Sequence, residues 1–228
     1  AAHPRGTRID VRDLFYATPA RLKFLKGDRA ETAQILDTVK RLAMARPDIA
    51  FTVRDDARER FRCDATNGDL LDTRLARLGA VMGREFADNA LRIDAEREGI
   101  RLTGYVGLPT LNCSNAMQQF LFVNGRPVRD KLLHGAVRGA YMDFLANNRH
   151  PMVALFVAIE PRSVDVNVHP AKAEVRFRDA GLVRGLIVGA LKHALAEAGH
   201  RASTTVADAA LGAVRPGMGS LPYGRSSG

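Results

Sequence analysis

The sequence predicts an α/β fold, because patterns typical of helices alternate along the chain with patterns typical of strands. Over residues 28–46 the apolar positions recur every three or four residues, which is the period of an amphipathic helix. Residues 152–159 are continuously apolar, as expected for a central strand covered on both faces. Val164, Val166 and Val168 alternate with polar residues, the pattern of a half-buried strand.

The composition is that of an ordinary globular protein, with 46% hydrophobic and 26% charged residues among 228. A folded chain of 24.8 kDa buries about 70% of the surface of its unfolded form, which is enough for a core without disulfides or metals. Collagen-like, coiled-coil and wholly disordered classes are excluded.

The two cysteines and the lengths of the apolar runs argue against disulfide-rich, zinc-binding and membrane-spanning classes of protein. Cys63 and Cys113 lie far apart and have no metal-ligand spacing, so neither a disulfide framework nor a Cys-based zinc site is predicted. A reduced intracellular compartment is the simpler expectation. The apolar run 152–159 is much shorter than the ~20 residues that span a bilayer. Since the chain opens at Ala1 directly in a strand-like stretch, we expect a fragment of a longer protein.

The first part of the chain is predicted to contain a strand, a basic segment and a helix. Residues 6–13 alternate as a strand, and the Thr-Pro pair at 18–19 opens the basic segment. Asp28, with Glu31 three residues later, has the pattern of a capping box, and the helix stops before Pro47. The residues expected on its buried face are Ile35, Leu36, Val39, Leu42 and Ala43.

A hairpin and a second helix follow. Residues 51–53 and 60–63 are predicted strands around a polar turn at 55–56. The Asn-Gly pair at 67–68 breaks the pattern, and residues 70–78 form the predicted helix.

A second unit is predicted to start near Val81. Its elements, in chain order, are a hairpin (91–95 and 100–106), a polar loop (108–116), a buried strand (120–123), a helix (131–145), a central strand (153–159) and a half-buried strand (164–168). Asp179 can cap a last helix that ends at Gly199. The remaining stretch, rich in Gly, Ser and Pro, is expected to be a flexible linker.

The charge balance predicts a polyanionic partner. With 34 Lys and Arg against 25 Asp and Glu, the net charge is +9 and the isoelectric point is near 10.1. Neutralising phosphates releases condensed counterions, which favours binding to nucleic acid. A solvated basic surface without a partner is the alternative. Two clusters favour a partner, and they consist of Arg21, Lys23, Lys26 and Arg29 in the first, and Arg126, Arg129, Lys131, His134 and Arg138 in the second.

The second cluster includes one face of the predicted helix at 131–145. Lys131, His134 and Arg138 fall within about 60° of one another, opposite the apolar stripe. A solvated face usually mixes charge signs, and this face does not. The apolar stripe consists of Leu133, Ala136, Val137, Ala140 and Phe144.

Three blocks of sequence, in matching order and spacing over residues 3–199, resemble the MutL-type DNA mismatch repair proteins. The blocks are Gly6-Thr7 with residues 13–25 (DLFYATPARLKFL), residues 122–126 (FVNGR), and residues 165–172 (DVNVHPAK) with residues 174–177 (EVRF).

This resemblance implies an ATPase of the GHKL class, shared with gyrase B, heat-shock chaperones and histidine kinases, followed by a domain with a ribosomal-protein-like fold. Residues 1–66 would be the C-terminal part of the ATPase domain, 67–80 a connecting helix, 81–199 the second domain and 200–228 the flexible linker. The family's water-activating Glu, magnesium-binding Asn and Gly-rich lid have no counterpart here. The resemblance therefore implies ATP and Mg²⁺ as cofactors of the parent protein, and no ATP hydrolysis by this fragment.

The resemblance also selects nucleotide-binding residues. In the family the lysine that matches Lys172 reaches the γ-phosphate of ATP, and Pro170 can fix the chain that presents it. A compact ammonium suits a terminal phosphate, although a solvated lysine is the alternative. Gly6 and Thr7 match the last nucleotide-site motif, where glycine allows close backbone approach and a hydroxyl can donate a hydrogen bond.

In the family, DNA is bound without sequence preference along a groove lined by Arg and Lys. Lys131 stands where relatives often have Arg, which keeps the charge but loses bidentate phosphate geometry. Ala17 and Leu22 replace the usual Asn and basic residue, which removes one possible phosphate contact. The residues assigned to the DNA-binding surface are Lys23, Lys26, Arg41, Arg126, Lys131 and Arg138.

The implied partners are double- and single-stranded DNA, an ATP-dependent N-terminal homodimer of the parent protein, a mismatch-recognition protein, and a repair nuclease or helicase. A membrane partner is not expected, and the implied location is the bacterial cytoplasm, at the nucleoid. The alternative is a basic module associated with RNA or the ribosome, because the second domain's fold also serves in translation. A self-contained enzyme would need a cluster of acid, base or nucleophile, and the sequence shows none.

Overall fold

The computed structural model describes residues 5–66, 70–168 and 173–213. Its helices are α1 (Asp28–Ala45), α2 (Leu70–Met82), α3 (Arg84–Asp88), α4 (Lys131–Tyr141) and α5 (Ala180–Ala213), with short 3-10 helices at Pro19–Phe24, Ala116–Gln118 and Pro161–Ser163. Its strands are β1 (Phe51–Asp55), β2 (Arg58–Cys63), β3 (Ala90–Arg97), β4 (Ile100–Gly107), β5 (Asn112–Cys113), β6 (Gln119–Val123), β7 (Arg126–Val128), β8 (His150–Pro151), β9 (Val153–Ala158), β10 (Val164–Asp165) and β11 (Arg176–Phe177).

A five-stranded sheet of order β3-β4-β9-β6-β7 organises the fold. Only β6 and β9 run parallel within it, and the other neighbours are antiparallel. The predicted central strand is confirmed, because β9 has two strands on each side and is almost wholly buried. The predicted hairpins are confirmed as the pairs β1–β2 and β3–β4.

Helices cover both faces of this sheet. Because side chains alternate along a strand, Val153 and Leu155 of β9 pack into one apolar cluster with α4 and α5. Ala154 and Phe156, on the opposite face, pack with α1, α2 and α3. The ring of Phe156 stacks on Phe122 of β6 at a centroid distance of 4.5 Å. The resulting helix–sheet–helix arrangement is the predicted α/β class.

One apolar cluster crosses the predicted division between the two units. Met44 of α1 is fully buried, and it belongs to the same cluster as Phe122 of β6 and Leu78 of α2. This packing joins α1 directly to the sheet of the second unit. The boundary between two domains at residues 67–80 stays a prediction.

The buried face of helix α1 matches the predicted face only in part, since Ala43 is buried as predicted but the rest of the face differs. The residues it buries are Arg41, Ala43 and Met44, whereas Ile35 is 52% exposed and Leu42 is 43% exposed. Insertion of Met44 into the cluster beneath the sheet fixes the rotation of the helix. The side chains one turn and two turns before it on that face are Arg41 and Asp37, so a polar stripe faces the body of the protein.

The start of α1 also differs from the predicted capping box. Gly27 is the N-cap and Asp28 is the first helical residue. Glu31 nevertheless reaches back, since its Oε1 accepts a hydrogen bond of 2.9 Å from the backbone N–H of Lys26.

The predicted strand at residues 6–13 is absent from the structure. Ile9 and Val11 are 80% and 73% exposed, and among the described residues no strand pairs with this segment. A strand is stable only when its backbone groups bond to a neighbour. The alternating pattern of residues 6–13 does not indicate whether a partner strand is present.

The C-terminal helix is longer than predicted. Asp179 caps α5 as expected, with its Oδ1 accepting from the N–H of Leu182 at 2.8 Å. The predicted end at Gly199 is wrong, because α5 continues to Ala213. Residues 200–213 include five alanines, the residue with the highest helix propensity. Across the described ranges no helix, α5 included, combines the length and apolarity that a membrane crossing requires.

The predicted half-buried strand at 164–168 is short in the structure. Within the described part of the chain, its paired residues are Val164 and Asp165, which pair with Phe177 and Arg176 of β11.

Candidate nucleic-acid interface

A tight turn places Arg126 at the edge of the sheet. Asn124 and Gly125 have φ angles of +48° and +76° and connect Val123 to Arg126, the geometry of a two-residue hairpin turn. The Asn124 side chain fixes the turn, because it donates to the carbonyl of Ile159 at 2.8 Å and accepts from its N–H at 2.9 Å. Arg126 itself is exposed.

The start of α4 places Lys131 on the surface beside this turn. Asp130 is the buried N-cap, and its Oδ1 accepts a hydrogen bond of 3.1 Å from the N–H of Leu133. Lys131 and Arg138 are exposed, which confirms the predicted outer face at those two positions. The residues that α4 buries are Leu133, Ala136, Val137, Ala140 and Tyr141.

The predicted apolar stripe is wrong at its last position. Helix α4 ends at Tyr141, and Phe144 beyond it is 43% exposed. Tyr141 completes the buried face, where its hydroxyl donates to the carbonyl of Gly107 at 2.6 Å. Burial raises the pKa of this phenol, so it remains a hydrogen-bond donor.

His134 does not belong to the cationic face. Its ring is half-buried and its Nδ1 lies 2.8 Å from the Oε1 of Gln119. Burial and the charge of Arg41 lower the pKa of His134 below its ordinary value despite the opposing effect of Asp130. A charge on this ring is therefore disfavoured, and Lys131 and Arg138, both exposed, supply the charge of this face.

A cleft of about 840 Å³ separates α1 from α4 and the segment that follows it. Its charged lining includes Arg129, Arg138 and Arg149, all exposed. The apolar part of the lining includes Met117, Met142 and Leu145. Asp37 is the only carboxylate among the described residues that line it.

Arg41 lines this cleft but is not free to bind phosphate. It is only 8% exposed, its Nε donates to Asp37 at 2.9 Å, and its Cζ lies 4.8 Å from the centroid of Phe120. Its Nη1 is buried without a hydrogen-bond partner among the described residues. The assignment of Arg41 to the DNA-binding surface is therefore not supported, because rotation of α1 turns this side chain inward.

Asp37 joins two distant parts of the chain. Its Oδ2 accepts from Arg41 and also from the Nη2 of Arg129, which lies between β7 and α4. Burial by itself would raise the pKa of Asp37, but the hydrogen bonds and charges of the two arginines lower it below the usual range of an aspartate. The carboxylate is ionised at neutral pH and holds both cations.

Lys23 and Lys26 lie elsewhere on the surface. Lys23 is in the 3-10 helix Pro19–Phe24 and Lys26 follows it, and both are exposed. Neither lines the cleft, so the structure does not bring them together with Arg138.

The predicted nucleotide-binding residues are only partly described. Gly6 and Thr7 are exposed, and a Cβ added at Gly6 would meet no atom within 4 Å. The described residues therefore form no cradle for a nucleotide at this point. Lys172 lies outside the described residues. The next residue, Ala173, accepts a hydrogen bond of 2.6 Å from the N–H of Arg129.

Sequence reasoning placed Arg129 in the second basic cluster but missed its pair with Asp37, and it missed Arg149 altogether. The i,i+4 spacing of Asp37 and Arg41 suggests an ion pair on α1, but nothing local indicates Arg129 as a third member. Arg149, which donates to the side chain and backbone of Asn112, follows an irregular segment that carries no periodic signal.

Metal chemistry has no support in the described part of the chain. No group of three or more His, Cys, Asp or Glu side chains there could hold an ion. Cys63 and Cys113 are free thiols.

The comparisons with known proteins identify the family. The profile of a family described as DNA mismatch repair protein, C-terminal domain, matches residues 78–196. The DNA mismatch repair protein MutL of Rhodospirillum rubrum is 64% identical over 98% of this chain. The chain belongs to the MutL family of DNA mismatch repair proteins. It covers 36% of the Rhodospirillum protein, so it spans about a third of the length of that MutL relative.

Solved structures agree with the fold. The N-terminal domain of a DNA repair protein matches with a TM-score of 0.63 at 20% identity, covering 80% of this chain and 59% of that one. The Aquifex aeolicus MutL ATPase domain complexed with ADP matches with a TM-score of 0.50 at 25% identity, covering 78% and 55%. The mixed α/β fold predicted from the sequence is confirmed as that of the MutL ATPase region.

Proposed function

We propose that this chain is the DNA-binding and nucleotide-sensing part of a MutL-type protein that acts in DNA mismatch repair. The observation that carries the proposal is the placement of Arg126, Lys131 and Arg138. All three are exposed on rigid elements, namely the β6–β7 turn and the outer face of α4, and a cleft with further arginines adjoins α4.

DNA binding by this surface would be independent of base sequence. Cations that contact phosphates release counterions, and this gain is the same for every sequence. Arg126 begins β7 and Lys131 begins α4, with only four residues between them, so they can contact neighbouring parts of one backbone. Lys23 and Lys26 would extend the positive surface toward the N-terminal segment.

The nucleotide-sensing role is proposed for Lys172, Gly6 and Thr7. Its support is the family membership together with the likeness to a MutL ATPase domain that was solved with ADP. In the parent protein, ATP and Mg²⁺ would be held mainly by residues upstream of this chain, and hydrolysis would not be a property of the chain alone.

We extend the proposal to partners on the same basis. The parent protein would form an ATP-dependent N-terminal dimer around double- or single-stranded DNA, at the nucleoid in the bacterial cytoplasm. It would link a mismatch-recognition protein to a repair nuclease or helicase.

Charge reversal tests the proposed surface. Lys131→Glu and Arg126→Glu are each expected to weaken binding to duplex DNA by about tenfold at low salt, because a phosphate contact is replaced by repulsion. The loss should be equal for unrelated sequences, and fluorescence anisotropy with labelled duplexes measures it.

Arg84→Glu is the matched control, since Arg84 is 92% exposed on α3 and the substitution changes the net charge equally. It is expected to alter the affinity by less than about twofold. Unchanged DNA binding in both the Lys131 and Arg126 variants would eliminate the surface. Competition by structured RNA stronger than by duplex DNA, at one salt concentration, would favour the RNA-associated alternative.

A further inference from the structure

Asp37 is an unexpected residue in a cleft proposed to adjoin bound DNA. Arg129, Arg138 and Arg149 line the same cleft, and Asp37 is the only carboxylate among its described lining residues. A negative charge there repels phosphates and weakens binding. The contacts of Asp37 with Arg41 and Arg129 indicate a structural role for its carboxylate.

The Asp37 carboxylate is held firmly on the body of the protein. Its side chain is 24% exposed, and Arg41, whose side chain is 10% exposed, donates to it at 2.9 Å. Arg41 in turn lies over the ring of Phe120 in β6. A partly buried pair of this kind is screened less by salt than a surface pair.

The second partner of Asp37, Arg129, sits at a junction. It follows β7 directly and precedes Asp130, the N-cap of α4. Lys131 comes two residues later. The backbone N–H of Arg129 donates to the carbonyl of Ala173 at 2.6 Å, and Ala173 follows Lys172 in the sequence. Any displacement of Arg129 therefore moves both the start of α4 and the bond to Ala173.

We propose that Asp37 is a positioning residue, which through Arg129 fixes the start of α4 and the chain at Ala173 relative to α1. The inference rests on the proposed function and deepens it. The ion pair between Asp37 of α1 and Arg129 would hold two parts of the proposed site. One is Lys131, which would contact DNA, and the other is Ala173, which follows the proposed phosphate sensor Lys172.

The direction of one change in DNA affinity separates this role from simple electrostatics. Asp37→Asn removes a negative charge, so electrostatics alone predicts tighter binding of duplex DNA. A positioning role predicts about fivefold weaker binding, because Lys131 loses its fixed place. Asp37→Glu, which keeps the charge, is expected to restore most of the affinity.

Asp143→Asn is the matched control. Asp143, just after α4, also forms a long-range pair, with Lys192 of α5 at 2.9 Å, and its substitution changes the net charge by the same amount. Its DNA affinity is expected to stay within about twofold of the wild type. Binding by Asp37→Asn that equals or exceeds that of the wild type would overturn the proposal.

Amide hydrogen exchange measures the positioning without DNA. Asp37→Asn and Arg129→Gln are each expected to speed exchange of the Arg129 N–H by about fivefold, with exchange in α5 unchanged. Arg129 is 54% exposed at its side chain, so the Gln variant should fold even if Asp37→Asn does not. Unchanged exchange at Arg129 in the Gln variant would also overturn the proposal.

DNA binding by this surface and the positioning role of Asp37 are tested separately. If the wild-type chain does not bind DNA, the proposed function fails, while the exchange experiment still decides whether Asp37 holds Arg129. If the wild type binds DNA and the substitutions leave amide exchange at Arg129 unchanged, the DNA-binding surface is supported and the positioning role of Asp37 is wrong.

Discussion

Replacing Arg77 with methionine is expected to destabilise the protein by about 3 kcal/mol or more. Arg77 on α2 is fully buried, and its Nη2 lies 2.6, 2.8 and 2.9 Å from the carbonyl oxygens of Pro47, Ile49 and Asp64. One side chain thus ties α2 to the chain on both sides of the β1–β2 hairpin. Urea unfolding followed by circular dichroism measures the loss.

The cost arises from carbonyl groups that lose a hydrogen-bond donor, since the bond from Arg77 to Pro47 is buried and those to Ile49 and Asp64 are partly buried. Pro47 keeps other donors, the N–H and hydroxyl of Thr66, but Ile49 and Asp64 lose the guanidinium and gain nothing from methionine. The gain from no longer burying a charge offsets part of this cost. Arg84→Met, at a side chain 92% exposed, is expected to change the stability by less than about 0.5 kcal/mol. Equal stability of the two variants would show that the three contacts are unimportant.

Replacing Gly104 with alanine is expected to destabilise the sheet by about 3–5 kcal/mol. Gly104 in β4 has a φ of +137°, and an added Cβ would lie 2.2 Å from the carbonyl oxygen of Ala154 in β9. Neither backbone can withdraw without breaking the ladder between β4 and the central strand. The midpoint and slope of urea unfolding give the change in free energy.

Gly189→Ala is the control for this substitution. Gly189 is exposed in α5 with no atom within 4 Å of an added Cβ, so alanine is expected to stabilise the helix by about 0.5–1 kcal/mol. A Gly104→Ala protein with wild-type stability would contradict the close approach of β4 and β9.

Local patterns predicted the parts of the fold that local physics determines. The Asn124-Gly125 pair predicts a turn because both positions need positive φ, and the structure places Arg126 directly after it. The continuous apolar run of β9 predicts burial on both faces, and β9 is the central strand. The outer face of α4 at Lys131 and Arg138 followed from helical periodicity alone.

Features that depend on packing partners could not be predicted from such patterns. Helix α1 has apolar residues on more than one side, and the pocket beneath the sheet that accepts Met44 decides which side is buried. Arg41 is consequently internal rather than available to DNA. The pair of Asp37 with Arg129 spans 92 positions and has no local signal. Ile9 and Val11 have a strand pattern but no described partner strand.

The salt dependence of DNA binding decides most directly whether Lys131 and Arg126 contact the DNA backbone. For two duplexes of unrelated sequence, the logarithm of the association constant should fall linearly with the logarithm of salt concentration, with the same slope. Lys131→Gln and Arg126→Gln should each reduce that slope by about one, and the double variant by about two. A slope near zero, or a slope that both substitutions leave unchanged, would contradict binding of the DNA backbone by these cations.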